Sequence, residues 1–115
     1  MIKIYHNPRC RKSREGLALL ENSGKKFEVI RYLEDIPGKE ALREIIAYLG
    51  ISPEQLLRKN ETVWKDNYKG KPLSDEEVLD AMLKYPKLIE RPIVISNGKA
   101  VVGRPPENIE AFLKV

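Results

Sequence analysis

The sequence is poor in the residues that build disulfide scaffolds and metal centres. Cysteine and histidine each occur once in 115 residues. A single cysteine cannot form a disulfide within the chain, and one cysteine with one histidine cannot complete a zinc finger or ribbon. We therefore expect no metal site, and a thiol that is kept reduced, as it is in the cytoplasm.

Long apolar segments are also missing. No window approaches the ~20 apolar residues that a membrane-spanning helix needs. No secretory signal is recognisable, because Met1 leads directly into the strand-like run Ile2–Tyr5. The sequence therefore predicts a cytoplasmic protein that has no membrane partner.

The overall composition is that of a globular domain. Hydrophobic residues make up 42% of the chain and charged residues 33%, with a formal net charge of +4. This modest positive charge favours small anions and is too weak to indicate direct binding of nucleic acid. The length suits one domain over residues 1–115, and nothing in the sequence demands more than a monomer.

The order of periodic segments predicts an α/β fold. An apolar run at Ile2–Tyr5, a helical pattern from Cys10 to the stop at Gly24, and a strand-like run at Phe27–Tyr32 form a βαβ unit with a parallel crossover. Near the C-terminus, Asn97-Gly98 between two apolar runs is a strong hairpin signal. The hairpin strands are expected at residues 93–96 and 99–102, followed by a helix over residues 105–113.

Helical patterns fill the space between the second and third strands, at about residues 38–88. Helices are expected over residues 39–49 and 52–57 and from Ser74 onwards. Residues 59–73 read as irregular, either a lid or a long loop, in which packing of Trp64 and Tyr68 on the core is favoured over a cover for the site. This order predicts a thioredoxin-like βαβ-ββα core with a helical insertion between the second and third strands.

Cys10 stands where the first strand passes into the first helix. Backbone N–H groups and the helix dipole stabilise a thiolate at such a position. Four cationic side chains flank the thiol in sequence: Arg9, Arg11, Lys12 and Arg14. We therefore predict a reactive thiol with a depressed pKa, in preference to a small buried hydrophobe.

Two neighbours could assist the thiol. Ser13 stands where a dithiol enzyme would carry its resolving cysteine, so that any redox cycle must use an external thiol. Its hydroxyl could bond the thiolate or could serve only the first helical turn. His6 could act as a base or hydrogen-bond partner, or could be a structural loop residue.

Three arginines stand at the ends of predicted elements. Arg58 follows the apolar pair Leu56-Leu57, Arg91 precedes the third strand, and Arg104 follows the fourth. Guanidinium groups offer paired, planar donors suited to a tetrahedral oxyanion. The sequence alone does not show that the three converge.

Four ordered segments carry a family resemblance. Residues 4–14, IYHNPRCRKSR, resemble the active-site segment of the glutaredoxin-coupled arsenate reductase family, part of the ArsC/Spx-like superfamily. Residues 56–60, 90–95 and 103–105 are similar to further family segments in the same order. The resemblance spans nearly the whole chain.

This resemblance implies an oxidoreductase that reduces arsenate to arsenite. Cys10 would be the attacking thiolate, with His6 and Ser13 as the supporting catalytic groups. Arg58, Arg91 and Arg104 would bind the oxyanion. Glutathione would enter as a co-substrate and glutaredoxin as the partner that removes oxidising equivalents, with no bound cofactor.

Two alternatives remain open. One is a regulator that binds RNA polymerase, like the Spx branch, although a Cys-x-x-Cys switch is unavailable because Ser13 replaces the second cysteine. The other is a glutathione-dependent thiol–disulfide oxidoreductase, which would need Cys10 but not the arginines. The pair Arg11-Lys12 departs from the small or neutral residues of well-characterised reductases, and could either capture anions or crowd the site.

Overall fold

A four-stranded mixed sheet carries the N- and C-terminal segments of the chain. The computed structural model describes residues 2–114. The strands are β1 (Ile2–Tyr5), β2 (Phe27–Ile30), β3 (Ile93–Ser96) and β4 (Lys99–Val102), in the order β2-β1-β3-β4. The helices are α1 (Arg11–Asn22), α2 (Lys39–Leu49), α3 (Thr62–Asn67), α4 (Asp75–Lys84) and α5 (Glu107–Leu113). Short 3₁₀ helices occupy Pro53–Leu56 and Pro86–Leu88.

Strand pairing follows the predicted topology. β1 pairs with β2 in parallel, as the crossover through α1 requires, and β1–β3 and β3–β4 are antiparallel. The tight β3–β4 turn places Asn97 and Gly98 at φ 52° and 73°, the left-handed geometry that favours this pair in two-residue hairpins. The thioredoxin-like βαβ-ββα core with helices inserted between the second and third strands is therefore confirmed.

The chain divides into two compact units. The first comprises Met1–Asp35 and Arg91–Val115, and the second comprises Ile36–Glu90, which holds every helix between β2 and β3. That both belong to a single domain over residues 1–115 remains a prediction. Among residues 2–114, no helix combines the length and apolar character needed to cross a membrane.

The first unit packs α1 and α5 around the sheet. Its core is centred on Ile4, Leu20, Val94 and Ile109, all fully buried. α1 lies close to α5 and to the residue before β3 at Gly16, where a Cβ would lie 2.7 Å from Ile109 Cδ1 and 2.8 Å from a Pro92 carbon. The first helix is thus held tightly against the chain that leads into β3.

The second unit is helical, with an apolar core drawn from the inward faces of α2 and α4. These buried residues are Leu42, Ile45, Ile46, Val78, Leu79 and Met82. The α4 N-terminus carries the predicted capping box, in which the Ser74 hydroxyl accepts from Glu77 N–H and the Glu77 carboxylate accepts from Ser74 N–H.

Two sequence-based expectations about element boundaries are wrong. Residues 59–73 are not wholly irregular, because Thr62–Asn67 form α3. Trp64 and Tyr68, four residues apart, stack with ring centroids 5.2 Å apart, and Trp64 is buried as expected. The second strand ends at Ile30 rather than Tyr32, because the chain turns with Glu34 N–H donating to the Arg31 carbonyl.

Candidate active site

Cys10 lies at the junction predicted for it, as the residue that caps the start of α1. Its backbone is extended, at φ −92° and ψ 123°, and its half-buried thiol forms no capping hydrogen bond. The Cys10 N–H donates to the Asn7 carbonyl at 3.0 Å, and the Cys10 carbonyl accepts from Arg14 N–H at 3.0 Å. These two bonds fix the backbone that carries the sulfur.

Opposing influences act on the thiol pKa, and the net shift is downward. Burial raises the pKa of Cys10, because the charged thiolate loses solvation. Against this, the Ser13 N–H and the Arg91 guanidinium lower the pKa by more, with a further contribution from Lys12 N–H. The downward shift and the part played by the first turn of α1 agree with the sequence-based prediction. The cation that lowers the pKa is Arg91, which is distant in sequence and was not among the flanking cations expected to do so.

Arg91 and Arg104 both reach Cys10. Arg91 is buried, with 9% of its surface exposed, and Arg104 is half-buried with Nη1 3.9 Å from Cys10 Sγ. The strand pairing explains this convergence. β3 runs antiparallel to β1, and β4 runs antiparallel to β3. The start of β3 therefore lies beside the ends of β1 and β4, at the same end of the sheet.

Ser13 organises the loop that precedes Cys10. It is fully buried, its Oγ accepts from Asn7 N–H at 3.0 Å, and it lies 2.7 Å from His6 Nδ1. Its backbone N–H, described above, faces the sulfur. Ser13 therefore acts on the thiol through its backbone, while its hydroxyl fastens the loop.

His6 is buried next to Ser13, with 4% of its surface exposed. Burial lowers its pKa first, and the positive charges of Arg31 and Arg14 add to this, while the Ser13 hydrogen bond opposes it. The imidazole is therefore neutral at neutral pH. The His6 backbone N–H donates to the Ile30 carbonyl at 2.8 Å, which connects the loop to the end of β2.

Asn7 is a residue that sequence reasoning missed. Only 7% of its surface is exposed, and its side-chain oxygen accepts from Arg9 N–H at 3.0 Å. The Asn7 carbonyl accepts from Cys10 N–H, and Asn7 N–H donates to Ser13 Oγ. Asn7 therefore holds the loop before Cys10 through both its backbone and its side chain. The Asn7-Pro8 dipeptide signals a turn, but the residues that the turn holds are visible only in three dimensions.

Arg11 and Lys12 project from the surface of α1. Arg11 Nε lies 3.2 Å from a Glu15 carboxylate oxygen and Lys12 Nζ 3.8 Å from the other. The Arg11 side chain is 84% exposed. Their charges are shared with Glu15 one helical turn away, and their side chains lie in solvent rather than against the sulfur.

Arg58 belongs to the second unit. Its Nη1 lies 3.3 Å from a Glu90 oxygen and its Nη2 3.6 Å from a Glu61 oxygen, with the side chain 17% exposed. Its buried Nε has no hydrogen-bond partner among residues 2–114. Of the six predicted site residues, the structure thus assembles five in the first unit, and Arg58 sits between two carboxylates in the other.

Within residues 2–114, no three His, Cys, Asp or Glu side chains lie close enough together to hold a metal ion. The chemistry available at Cys10 is that of a stabilised thiolate beside guanidinium groups.

Comparisons with known proteins place this site in a family. Residues 5–112 match the ArsC family. The chain is 48% identical over 110 residues to the uncharacterized protein YfgD of Escherichia coli, covering 94% of this chain and 92% of that protein. It is 46% identical over 114 residues to an arsenate reductase of Neisseria meningitidis, with 97% of each covered. A solved arsenate reductase from Vibrio cholerae superposes with a TM-score of 0.90 at 47% identity, covering 96% of this chain and 95% of that one. The chain belongs to the ArsC family.

Proposed function

We propose that the protein is an arsenate reductase. The observation that carries the proposal is the Cys10 thiol, held between the start of α1 and two arginines that approach its sulfur. Relatives named arsenate reductase, which are 40–46% identical to this chain over most of its length, support it. The substrate is thus a tetrahedral oxyanion.

The first step brings together two anions, which repel each other. In the proposed reaction, the Cys10 thiolate attacks arsenic, an As–S bond forms, and one arsenate oxygen leaves as water after protonation. The guanidinium groups of Arg91 and Arg104 offset the repulsion and stabilise the charge on the arsenate oxygens as the bond forms. The neutral His6 and the Ser13 hydroxyl keep the loop in place for this attack.

Reduction of As(V) to As(III) takes up two electrons. In the proposed cycle, glutathione forms a second As–S bond with loss of water. A glutaredoxin thiol then attacks the glutathione sulfur, and the As–S bond to glutathione breaks with its electron pair left on arsenic, which becomes As(III). The mixed disulfide carries away both oxidising equivalents, and hydrolysis of the remaining As–S bond releases arsenite and the Cys10 thiol. A chain with one cysteine suits this use of external thiols in a reducing cytoplasm. We propose that the reaction needs no bound cofactor and that the protein works as a monomer.

Arg58 enters the proposal as a third oxyanion ligand. Its two carboxylate neighbours, Glu61 and Glu90, balance its charge in the absence of substrate. An oxyanion would compete with these carboxylates for the Arg58 guanidinium.

The test measures arsenite formation from arsenate with glutathione, glutaredoxin, glutathione reductase and NADPH. We expect Cys10→Ser to lose turnover, and Arg91→Ala to lose about 10²–10³-fold in kcat/KM. Arg11→Ala is the matched control, since it removes one positive charge beside the thiol without touching the sulfur, and should retain nearly full activity. Turnover that survives in Arg91→Ala would refute the oxyanion role.

The same variants separate the alternatives. A thiol–disulfide oxidoreductase would reduce a glutathionylated peptide through Cys10 and keep that activity in Arg104→Ala. A polymerase-binding regulator would bind RNA polymerase equally well as wild type and as Cys10→Ser. Wild-type protein that reduces no arsenate and shows either behaviour would replace the proposed function.

A further inference from the structure

A second cleft lies entirely within the second unit. Its cavity volume is about 520 Å³, which is within the usual range for small-molecule sites. α3 and the chain that follows it supply most of its walls. We call it the lysine cleft; the residues that define it are Leu57, Lys59, Trp64, Lys65, Lys69 and Lys71.

The charge of this cleft is one-sided. Four lysines line it, against one acidic residue, Glu54, which pairs with Lys59. The side chains of Lys65, Lys69 and Lys71 form no ion pair within residues 2–114. Like charges gathered around one cavity repel each other, and a bound anion would relieve that repulsion.

The cleft also has an apolar side. Leu57, Trp64 and Val78 line it and are buried in the core of the unit, while Pro72 and Leu73 extend the apolar lining. The Trp64 ring is stacked on the Tyr68 ring, and the Lys59 ammonium lies 6.0 Å from the centroid of the Trp64 ring. An occupant that matches this lining combines several negative charges with an organic body.

Lysine is a regular phosphate-binding residue. Its ammonium acts as a compact point charge, without the planar fork by which arginine bonds paired oxygens of carboxylates and phosphates. All four cations of the cleft are lysines. Their flexible stems can follow a ligand whose charges are spread over several oxygens.

We propose that the lysine cleft binds a small organic molecule that carries two or more phosphate groups. The site is separate from the chemistry of Cys10, and the proposal does not depend on arsenate reduction. It gives the protein a second anion specificity, for multiply charged phosphates of ligand size.

The first experiment titrates the protein with ADP by calorimetry and with inorganic tripolyphosphate by fluorescence. Trp64 is the single tryptophan of the chain and lines the cleft, so its emission reports occupancy directly. We expect ADP to bind, and Lys69→Gln/Lys71→Gln to weaken binding by at least about tenfold, because the variant loses two charged hydrogen-bond donors to the phosphates. Unchanged affinity in this double variant would overturn the proposal.

Matched controls test whether binding reflects non-specific attraction of anions or a preference for carboxylates. Lys3→Gln/Lys26→Gln deletes the same charge from exposed positions in the first unit and should bind ADP as wild type does. Equal losses in both double variants would mean non-specific attraction and would refute the site. A hexaglutamate peptide that binds as tightly as ADP at equal ionic strength would refute the preference for phosphate and point to an acidic protein segment.

Two further variants keep this proposal and the proposed function apart. Arg91→Ala should bind ADP normally, because the lysine cleft does not include the thiol site. Lys69→Gln/Lys71→Gln should retain its far-ultraviolet circular dichroism and arsenate turnover. ADP binding lost in Arg91→Ala would assign the anion to the thiol site and overturn the second site, whatever the outcome of the reductase assay.

Discussion

The two units differ in how deeply their polar and charged side chains are buried. Four polar or charged residues are buried within residues 2–114, namely His6, Asn7, Ser13 and Arg91, and all four belong to the first unit. In the second unit, the charged groups that link α2 to α4 lie near the surface, where Lys39 pairs with Glu76 and Asp80.

This difference shows where polar interactions act most strongly. A buried polar group that loses its partner costs its full desolvation penalty, whereas water replaces a lost partner at the surface. Two members of the buried set, Ser13 and Arg91, lower the pKa of Cys10, and Ser13 also holds the loop that precedes the thiol. The second unit relies on apolar helix packing, and its surface charges can change with little effect.

The largest contrast should come from two serines. Ser13→Ala leaves Asn7 N–H and the His6 ring without their bond, and we expect a loss on the order of 2–4 kcal/mol of unfolding free energy. Ser74→Ala removes only an exposed helix cap, at about 1 kcal/mol. Urea denaturation of both variants measures the difference, and equal losses would contradict the contrast between the units.

The second-largest loss of stability should come from a change in the close packing around Gly16 in α1. Gly16→Ala introduces a methyl group against Ile109 Cδ1 and Pro92, and should cost about 1–3 kcal/mol through overpacking. Ile109→Val removes the obstructing atom, so the double variant should be more stable than the sum of the two single effects predicts. If the losses of stability of the two single variants are strictly additive in thermal melts, the methyl group is accommodated by a shift of α1 and not by the space left at Ile109. In the second unit, a Cβ at Gly38, Gly50 or Gly70 would meet nothing within 4 Å.

Acidification should weaken the buried network. The pKa of His6 in the folded state lies below its usual 6.5, so the unfolded chain binds a proton first as pH falls. The unfolding free energy should therefore decrease below pH 6.5, and His6→Asn should reduce this slope. His6 is the single histidine, so its ring NMR signals report the titration directly. A ring that titrates at or above 6.5 would contradict the burial argument.

The smallest effect belongs to the surface pairs of the second unit. Lys39→Gln removes both of its ion pairs, which are exposed and screened by salt. We expect the urea midpoint to stay close to that of the wild type, and any difference to vanish in high salt. A loss as large as that of Ser13→Ala would mean that the second unit also depends on its polar contacts.

Local patterns were enough to predict the strands and the hairpin. The run Ile2–Tyr5 and the Asn97-Gly98 turn carry their information within a few residues, and both were found where expected. The α3 helix was missed because its residues are mostly polar, and its helical contact, the stacking of Trp64 on Tyr68, needs the folded chain.

The site was predictable in part. The position of Cys10 before a helix follows from the strand-to-helix change in pattern, and its cationic neighbours are visible in the sequence. The convergence of Arg91 and Arg104 was not, because it depends on strand pairs far apart in the chain. The structure also reassigns Arg11 and Lys12, whose charges go to Glu15 rather than to the sulfur.

The capping position of Cys10 implies a conflict between durability and reactivity. Serine is among the favoured residues at a helix start, because its oxygen bonds the first free N–H groups, whereas the Cys10 thiol forms no such bond. With the thiol protonated, the Cys10→Ser variant should therefore be more stable than wild type, by about 0.5–1 kcal/mol.

Alkali should reverse this ranking. The folded-state pKa of Cys10 lies below its usual value, so the thiolate adds stability that is fully present above that value and is lost as pH falls through the folded-state pKa. Melts of both proteins across this range would show wild type gaining on Cys10→Ser as pH rises, and parallel curves would exclude the effect. The protonated thiol leaves the start of α1 without a side-chain cap, and ionisation to the proposed nucleophile stabilises that same helix start.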